Sequence, residues 1–137
     1  MKRLLIYLIC GIICSSCTLY GEINLEVHHL EVDYRAQDVL LRTDGEIITT
    51  GFVFSESDVE SSDHEEYYGD TMYILKGEWF SLIIDYSNKK QLRVALNENT
   101  TGKDRKVKVM VERKIDNDSV VIVQKAKSLG SFKNDVP

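Results

Sequence analysis

The side chains best suited to chemistry or recognition in this 137-residue sequence gather between Ser55 and Asp70. Glu56, Asp58, Glu60, Asp63, Glu65, Glu66 and Asp70 accumulate there without a lysine or arginine among them. Asp58, Glu60 and Asp63 would offer hard oxygen ligands to calcium. The D-x-[DN]-x-[DN]-G order that makes such a loop specific is missing, so the expectation is a solvated, self-repelling loop and no metal. Tyr67 and Tyr68 follow at once. Two adjacent tyrosines in a polar loop have no periodic reason to enter a core, which makes them the candidates for an exposed platform against a sugar ring. The histidines are His28, His29 and His64. Neighbours on a strand point to opposite faces, so His28 and His29 cannot share a metal.

Covalent or acid–base catalysis finds little to work with. There is no Gly-x-Ser-x-Gly elbow, no phosphate-cradling glycine loop and no histidine with a recognisable nucleophile beside it. Carboxylates lie close in sequence only in the acidic loop, which cannot hold the fixed separation that glycoside hydrolysis needs. The expectation is a protein without catalytic residues or cofactor. A formal net charge of −5 also argues against nucleic-acid binding, since phosphate backbones would be repelled.

The elements that must carry these residues are strands. Ile23, Leu25 and Val27 alternate with polar residues, as do Leu30, Val32 and Tyr34, and Val39–Arg42 follows before Thr43-Asp44-Gly45-Glu46. Asp-Gly between apolar runs predicts a hairpin to Ile47–Thr50, with Phe52–Phe54 beyond it. Met72–Leu75 and Trp79–Ile84 read as strands. Leu92, Val94 and Leu96 alternate with Arg93 and Ala95, and Val107, Val109 and Val111 alternate with Lys106, Lys108 and Met110. The polar stretch between these two runs, with Gly102 free to take positive φ, predicts a central hairpin. Asp116–Ser119 reads as a second turn and Val120–Gln124 as a strand buried on both sides. About eight strands with regular turns and no repeat predict an all-β sandwich. Within it Trp79 is expected at the core or its rim. Asn99 is expected to cap its own turn, Arg105 to tie that turn to a neighbouring strand, and Gln124 to satisfy backbone groups.

Trp79, Leu92, Val94, Asn99, Thr101, Gly102, Arg105, Val107, Val109 and Val121-Ile122-Val123-Gln124 form a pattern that resembles the BACON domain, the Bacteroidetes-associated carbohydrate-binding, often N-terminal, domain. The resemblance covers the C-terminal half well and the N-terminal half loosely. It implies an immunoglobulin-like β-sandwich of about seven to eight antiparallel strands. It also implies a non-catalytic part of an exported protein, in a family where some members are spacers and a sugar-binding role was inferred.

The N-terminus fits export. Met1-Lys2-Arg3 precedes an apolar run from Leu4 to Ile13, a signal-peptide pattern too short for a bilayer span of ~20 residues. Ser15-Ser16-Cys17 resembles a bacterial lipoprotein cleavage box, with Cys14 where leucine is commoner, and makes Cys17 the lipidated N-terminus. Loss of residues 1–16 leaves 121 residues. It removes Lys2, Arg3, Cys10 and Cys14, so the net charge becomes −7 and no disulfide can form. The expected organisation is a leader at 1–16, a lipidated tether at 17–22, a sandwich at 23–127 and a polar tail at 128–137. Asp70-Thr71-Met72 and Asp118-Ser119-Val120 resemble O-glycosylation acceptors of exported bacterial proteins, both at predicted turns, making Thr71 and Ser119 the candidate acceptors.

These observations converge on a lipid-anchored envelope protein without catalytic activity, acting as an interaction or spacer module. The alternative is a carbohydrate-binding protein that captures glycans for surface polysaccharide uptake. The expected partners are a membrane, through the N-terminal lipid, and a glycan or envelope protein. The expected location is the outer membrane, facing the periplasm or the cell surface.

Overall fold

Alternation along the valine-rich segments produces two sheets with their apolar faces turned together. The computed structural model describes residues 22–54 and 65–128, and among these it contains nine strands and no helix. The strands are β1 (His29–Val32), β2 (Gln37–Arg42), β3 (Thr49–Val53), β4 (Glu65–Tyr68), β5 (Met72–Lys76), β6 (Phe80–Asp85), β7 (Gln91–Leu96), β8 (Arg105–Arg113) and β9 (Asp116–Gln124). One sheet has the order β1-β9-β8-β3 and the other β2-β7-β6-β5-β4. The leader, Cys17, the acidic Asp58, Glu60 and Asp63, His64, and the tail from 129 onward lie outside the described residues.

The core is the predicted alternating set. Leu82, Leu92, Val94, Val107, Val109, Val111, Val120 and Ile122 are all fully buried between the sheets. Each such side chain contributes about 1.5–3 kcal/mol of transfer free energy. With β2-β7-β6 facing β3-β8-β9, the architecture is an immunoglobulin-like sandwich. It departs from an all-antiparallel expectation at one place, because β1 runs parallel to β9, with His29 opposite Val121 and Val32 opposite Gln124.

Both predicted hairpins are instead arches between the sheets. β2 pairs with β7 from Gln37↔Leu96 to Arg42↔Gln91, whereas β3 pairs with β8 from Thr49↔Glu112 to Val53↔Lys108. The Asp44-Gly45 segment therefore crosses from one layer to the other. In the same way β7 belongs to the five-stranded sheet and β8 to the four-stranded one, so residues 97–104 cross back, with Gly102 at φ 75°. A turn signal reports where the chain reverses, and it does not choose the strand that each flank pairs with.

The predicted first strand is a strap. Ile23 and Leu25 are buried, but the segment makes a single bridge, Leu25 to Thr43. Its amides are taken by carboxylates: Ile23 donates to Asp116 Oδ2 at 2.7 Å and Leu25 to Asp118 Oδ2 at 2.7 Å. These aspartates, read from sequence as a turn, are the first residues of β9. The turn sits earlier, at Lys114-Ile115, where Lys114 takes a positive φ of 51°. Val120, Ile122 and Gln124 are buried while Val121 and Val123 are half-buried, so β9 has one core face rather than two.

Burial penalises the Asp118 carboxylate, but hydrogen bonds from the amides of Leu25 and Ser119 and from His28 outweigh that and hold its pKa below the usual value. A carboxylate with a lowered folded-state pKa adds stability above its unfolded pKa of ~3.9, and that stability disappears as pH falls through the folded value. Asp118→Asn should therefore lower the melting temperature at pH 7, with the deficit shrinking as pH falls below the unfolded value of ~3.9 and through the lowered folded one. Thermal unfolding between pH 7 and 2 checks this, and a deficit that stays constant would refute it.

Candidate functional site

Trp79, Asn99, Arg105 and Gln124 are scattered in sequence and meet at one end of the sandwich. Trp79, 8% exposed, directly precedes β6, and the Arg105 guanidinium lies over its ring at 4.3 Å. Arg105 Nε donates to Gln124 Oε1 at 2.9 Å and its Nη2 to the Asn97 carbonyl at 2.8 Å. Gln124 Nε2 donates to the carbonyls of Asn97 at 3.0 Å, Arg35 at 3.2 Å and Tyr34 at 3.3 Å.

Asn99, fully buried, completes the knot. Its Nδ2 donates to the carbonyls of Lys103 at 2.8 Å and Lys125 at 3.1 Å, while its Oδ1 accepts from the amide and hydroxyl of Thr101 at 3.1 and 2.7 Å. These side chains pin the β7–β8 arch to the end of β9 and to the β1–β2 connection, the work that an arch needs when it has no hairpin ladder of its own. Among the described residues no buried side-chain nitrogen or oxygen lacks a partner.

The two tyrosines do not form one platform. They lie on edge strand β4 rather than in a loop, with Tyr67 opposite Ile74 and Tyr68 opposite Tyr73, so they point to opposite faces. Both are exposed, at 60% and 70%. Tyr68 faces inward along an edge that the shorter four-stranded sheet leaves uncovered. Its ring centroid is 4.9 Å from that of Tyr73, and its hydroxyl donates to Glu66 at 3.0 Å.

Tyr86 shares that face, because its amide donates to the Thr71 carbonyl and continues the β5–β6 register by one pair. Burial, with Glu66 and Tyr68 nearby, pushes the Tyr73 hydroxyl up to about 12, so it stays a neutral donor. Sequence reasoning missed Tyr73 and Tyr86. The available signal was their place two residues from Leu75 and Ile84 on alternating strands, but only strand pairing brings them beside Tyr68.

On the opposite, outward face of the five-stranded sheet lies a concavity of about 220 Å³, with Leu40, Met72 and Ile83 on its apolar side and Asp85, Asn88, Gln91 and Arg93 around it. Its polar groups already bind one another locally. Asn88 Nδ2 donates to Gln91 Oε1 at 3.0 Å, and Asp85 accepts from Ser87. Thr71 is exposed in the β4–β5 turn, whereas Ser119 is half-buried within β9 opposite Met110, not at a turn. Among the described residues no group of His, Cys, Asp and Glu side chains is placed to hold a metal ion.

The fold and this end-knot define an immunoglobulin-like sandwich held by a buried polar clasp. Comparison with protein-family models and with curated proteins returns no match. Among solved structures, a protein from Bacteroides thetaiotaomicron determined by NMR aligns with a TM-score of 0.52 and 20% identity over 80% of this chain and 86% of that chain. A Bacteroides ovatus GH5 xyloglucanase, in complex with a XXXG heptasaccharide, aligns with a TM-score of 0.46 and 16% identity over 82% of this chain and 20% of that chain. At 20% identity the first of these likenesses concerns the fold alone.

Proposed function

We propose that this chain is a BACON-like, non-enzymatic envelope module, exported and lipid-anchored through Cys17 in the outer membrane, that acts as an interaction or spacer domain. The observation that carries this reading is the commitment of the motif side chains to the fold. Trp79, Asn99, Arg105 and Gln124 bind one another and backbone groups, and so leave a ligand nothing to recognise. A resemblance built on such residues supports an architecture and gives no binding specificity. The non-enzymatic part of the reading rests on the sequence, which lacks a nucleophile with its base.

A second reading, capture of glycans for uptake, is favoured by the inward face of the β4 edge. Tyr68, Tyr73 and Tyr86 there combine aromatic surface with phenolic hydroxyls, the mixture that a sugar ring stacks and hydrogen-bonds against. A glycan array with calorimetric follow-up separates the two. The spacer reading expects no saturable binding by protein shown to be folded. Binding abolished by Tyr68→Ala but retained in Tyr67→Ala, whose side chain lies on the other face, would replace it with the glycan reading.

A further inference from the structure

The strap fixes where the anchor leaves the domain. Ile23 is tied to Asp116 at the base of β9, directly beside the Lys114-Ile115 turn. From Cys17 to Ile23 the chain can span at most about 20 Å, even fully extended. The sandwich is longer than that tether: the nine residues of β8, from the Trp79–Arg105 clasp to Arg113, cover roughly 27 Å. A lipid on Cys17 therefore keeps the Ile115 end within reach of the bilayer and forbids the domain from standing on its clasp end.

That end is shaped for the contact. Ile115 is 85% exposed at the tip of the β8–β9 turn, the most exposed of the large apolar side chains described, between Lys114 and Asp116. Ile48, 55% exposed, lies at the same end of the sandwich, its amide donating to the Glu112 carbonyl. Arg113 has a stem long enough to lie along apolar surface with its charge in the headgroup layer. Asp116 gives one carboxylate oxygen to the Ile23 amide, and Asp44, exposed, holds Asn24 with both of its oxygens. Glu22, Glu46 and Glu112 remain at this end, which matches it to a zwitterionic surface rather than an anionic one.

We propose that the Ile115–Ile48 end is a membrane-facing foot, seated in the interfacial zone of the bilayer to which Cys17 is anchored. The inference rests on the lipid-anchor reading above. A contact too weak to bind a free domain suffices here, because the tether makes the second encounter intramolecular. The foot sets orientation: the clasp points away from the bilayer, toward whatever the module meets.

The test uses Ile115→Trp, which adds an indole at an exposed tip, against the parent protein, whose Trp79 lies at the far end. The full chain is expressed in a bacterial host and reconstituted in phosphatidylcholine vesicles carrying brominated acyl chains. Its mass reports separately whether Cys17 carries lipid. If it does not, the anchor reading fails, and the full chain with Cys10→Ser and Cys14→Ser is coupled at Cys17 to a maleimide phospholipid, so that the orientation is still measured. The expected result is about twofold or stronger quenching of the added indole, with Trp79 unaffected. Equal quenching in variant and parent, or none in either, would overturn the foot.

Discussion

Asn99→Ala should unfold at a melting temperature roughly 10–25 °C below that of the parent, the outcome of losing about 2–4 kcal/mol. The side chain is fully buried and holds the β7–β8 arch from the inside. Without it the Lys125 carbonyl loses its donor, the Lys103 carbonyl keeps only the Thr101 hydroxyl, and the Thr101 amide loses its acceptor. Removing one side of a network that reaches into the interior costs more than a single bond, because several partners lose their bonds at once and a cavity is left in place of the buried side chain.

Asn99→Asp gives a sharper signature. A carboxylate at Nδ2's place faces two carbonyl oxygens and cannot donate to them unless it is protonated. Burial and those carbonyls would raise its folded-state pKa above ~3.9, so the folded state binds the extra proton. The sign is then opposite to that of Asp118: stability is greatest at low pH and falls as pH rises through the raised value. Thermal unfolding of both variants from pH 3 to 8 measures this. An alanine variant within ~0.5 kcal/mol of the parent would show that the knot carries no stability, since that is the range of ordinary surface changes.

Phe80→Ala should be the most damaging core substitution, at about 3–5 kcal/mol. Phe80 is 1% exposed and opens β6 beneath the arch. Its ring meets those of Phe52 at 4.8 Å, Trp79 at 5.0 Å and Phe54 at 5.9 Å, mostly edge to face. It also lies so close to Gly77 that a Cβ there would come within 2.6 Å of the ring, which is why that turn carries glycine. The four rings join β3 of one sheet to β6 of the other, so a cavity here loosens the contact between layers. Phe80→Leu keeps most of the volume and should cost below about 1.5 kcal/mol. Denaturant unfolding of the pair checks the contrast. Equal losses for leucine and alanine would mean that ring geometry, not volume, carries the effect.

Strand identity was legible because a sandwich buries one face of each strand. Leu92-Val94-Leu96 and Val107-Val109-Val111 declare that face by alternation alone, and all six are buried. Gly102 likewise announced a positive φ, which the arch uses. Partner choice was not legible in the same residues. Asp44-Gly45 and Asn97–Asp104 have the composition of hairpin turns, yet the strands on either side of each do not pair with one another: β2 takes β7, β3 takes β8, β7 also takes β6 and β8 also takes β9. Asp116 and Asp118 read as turn formers because nothing local reveals that their carboxylates will cap Ile23 and Leu25 across the domain.

By itself, then, the sequence determined the all-β class, the inward face of most strands, and the residue types of the clasp. Local sterics and side-chain periodicity of two act within a few residues and are written in every segment. Only the tertiary structure decided which strands pair, that Tyr67 and Tyr68 part to opposite faces, that Tyr73 and Tyr86 join Tyr68, and that Trp79, Asn99, Arg105 and Gln124 become one knot. Those outcomes depend on contacts between distant segments, whose free energies are compared only when the whole chain closes on its core.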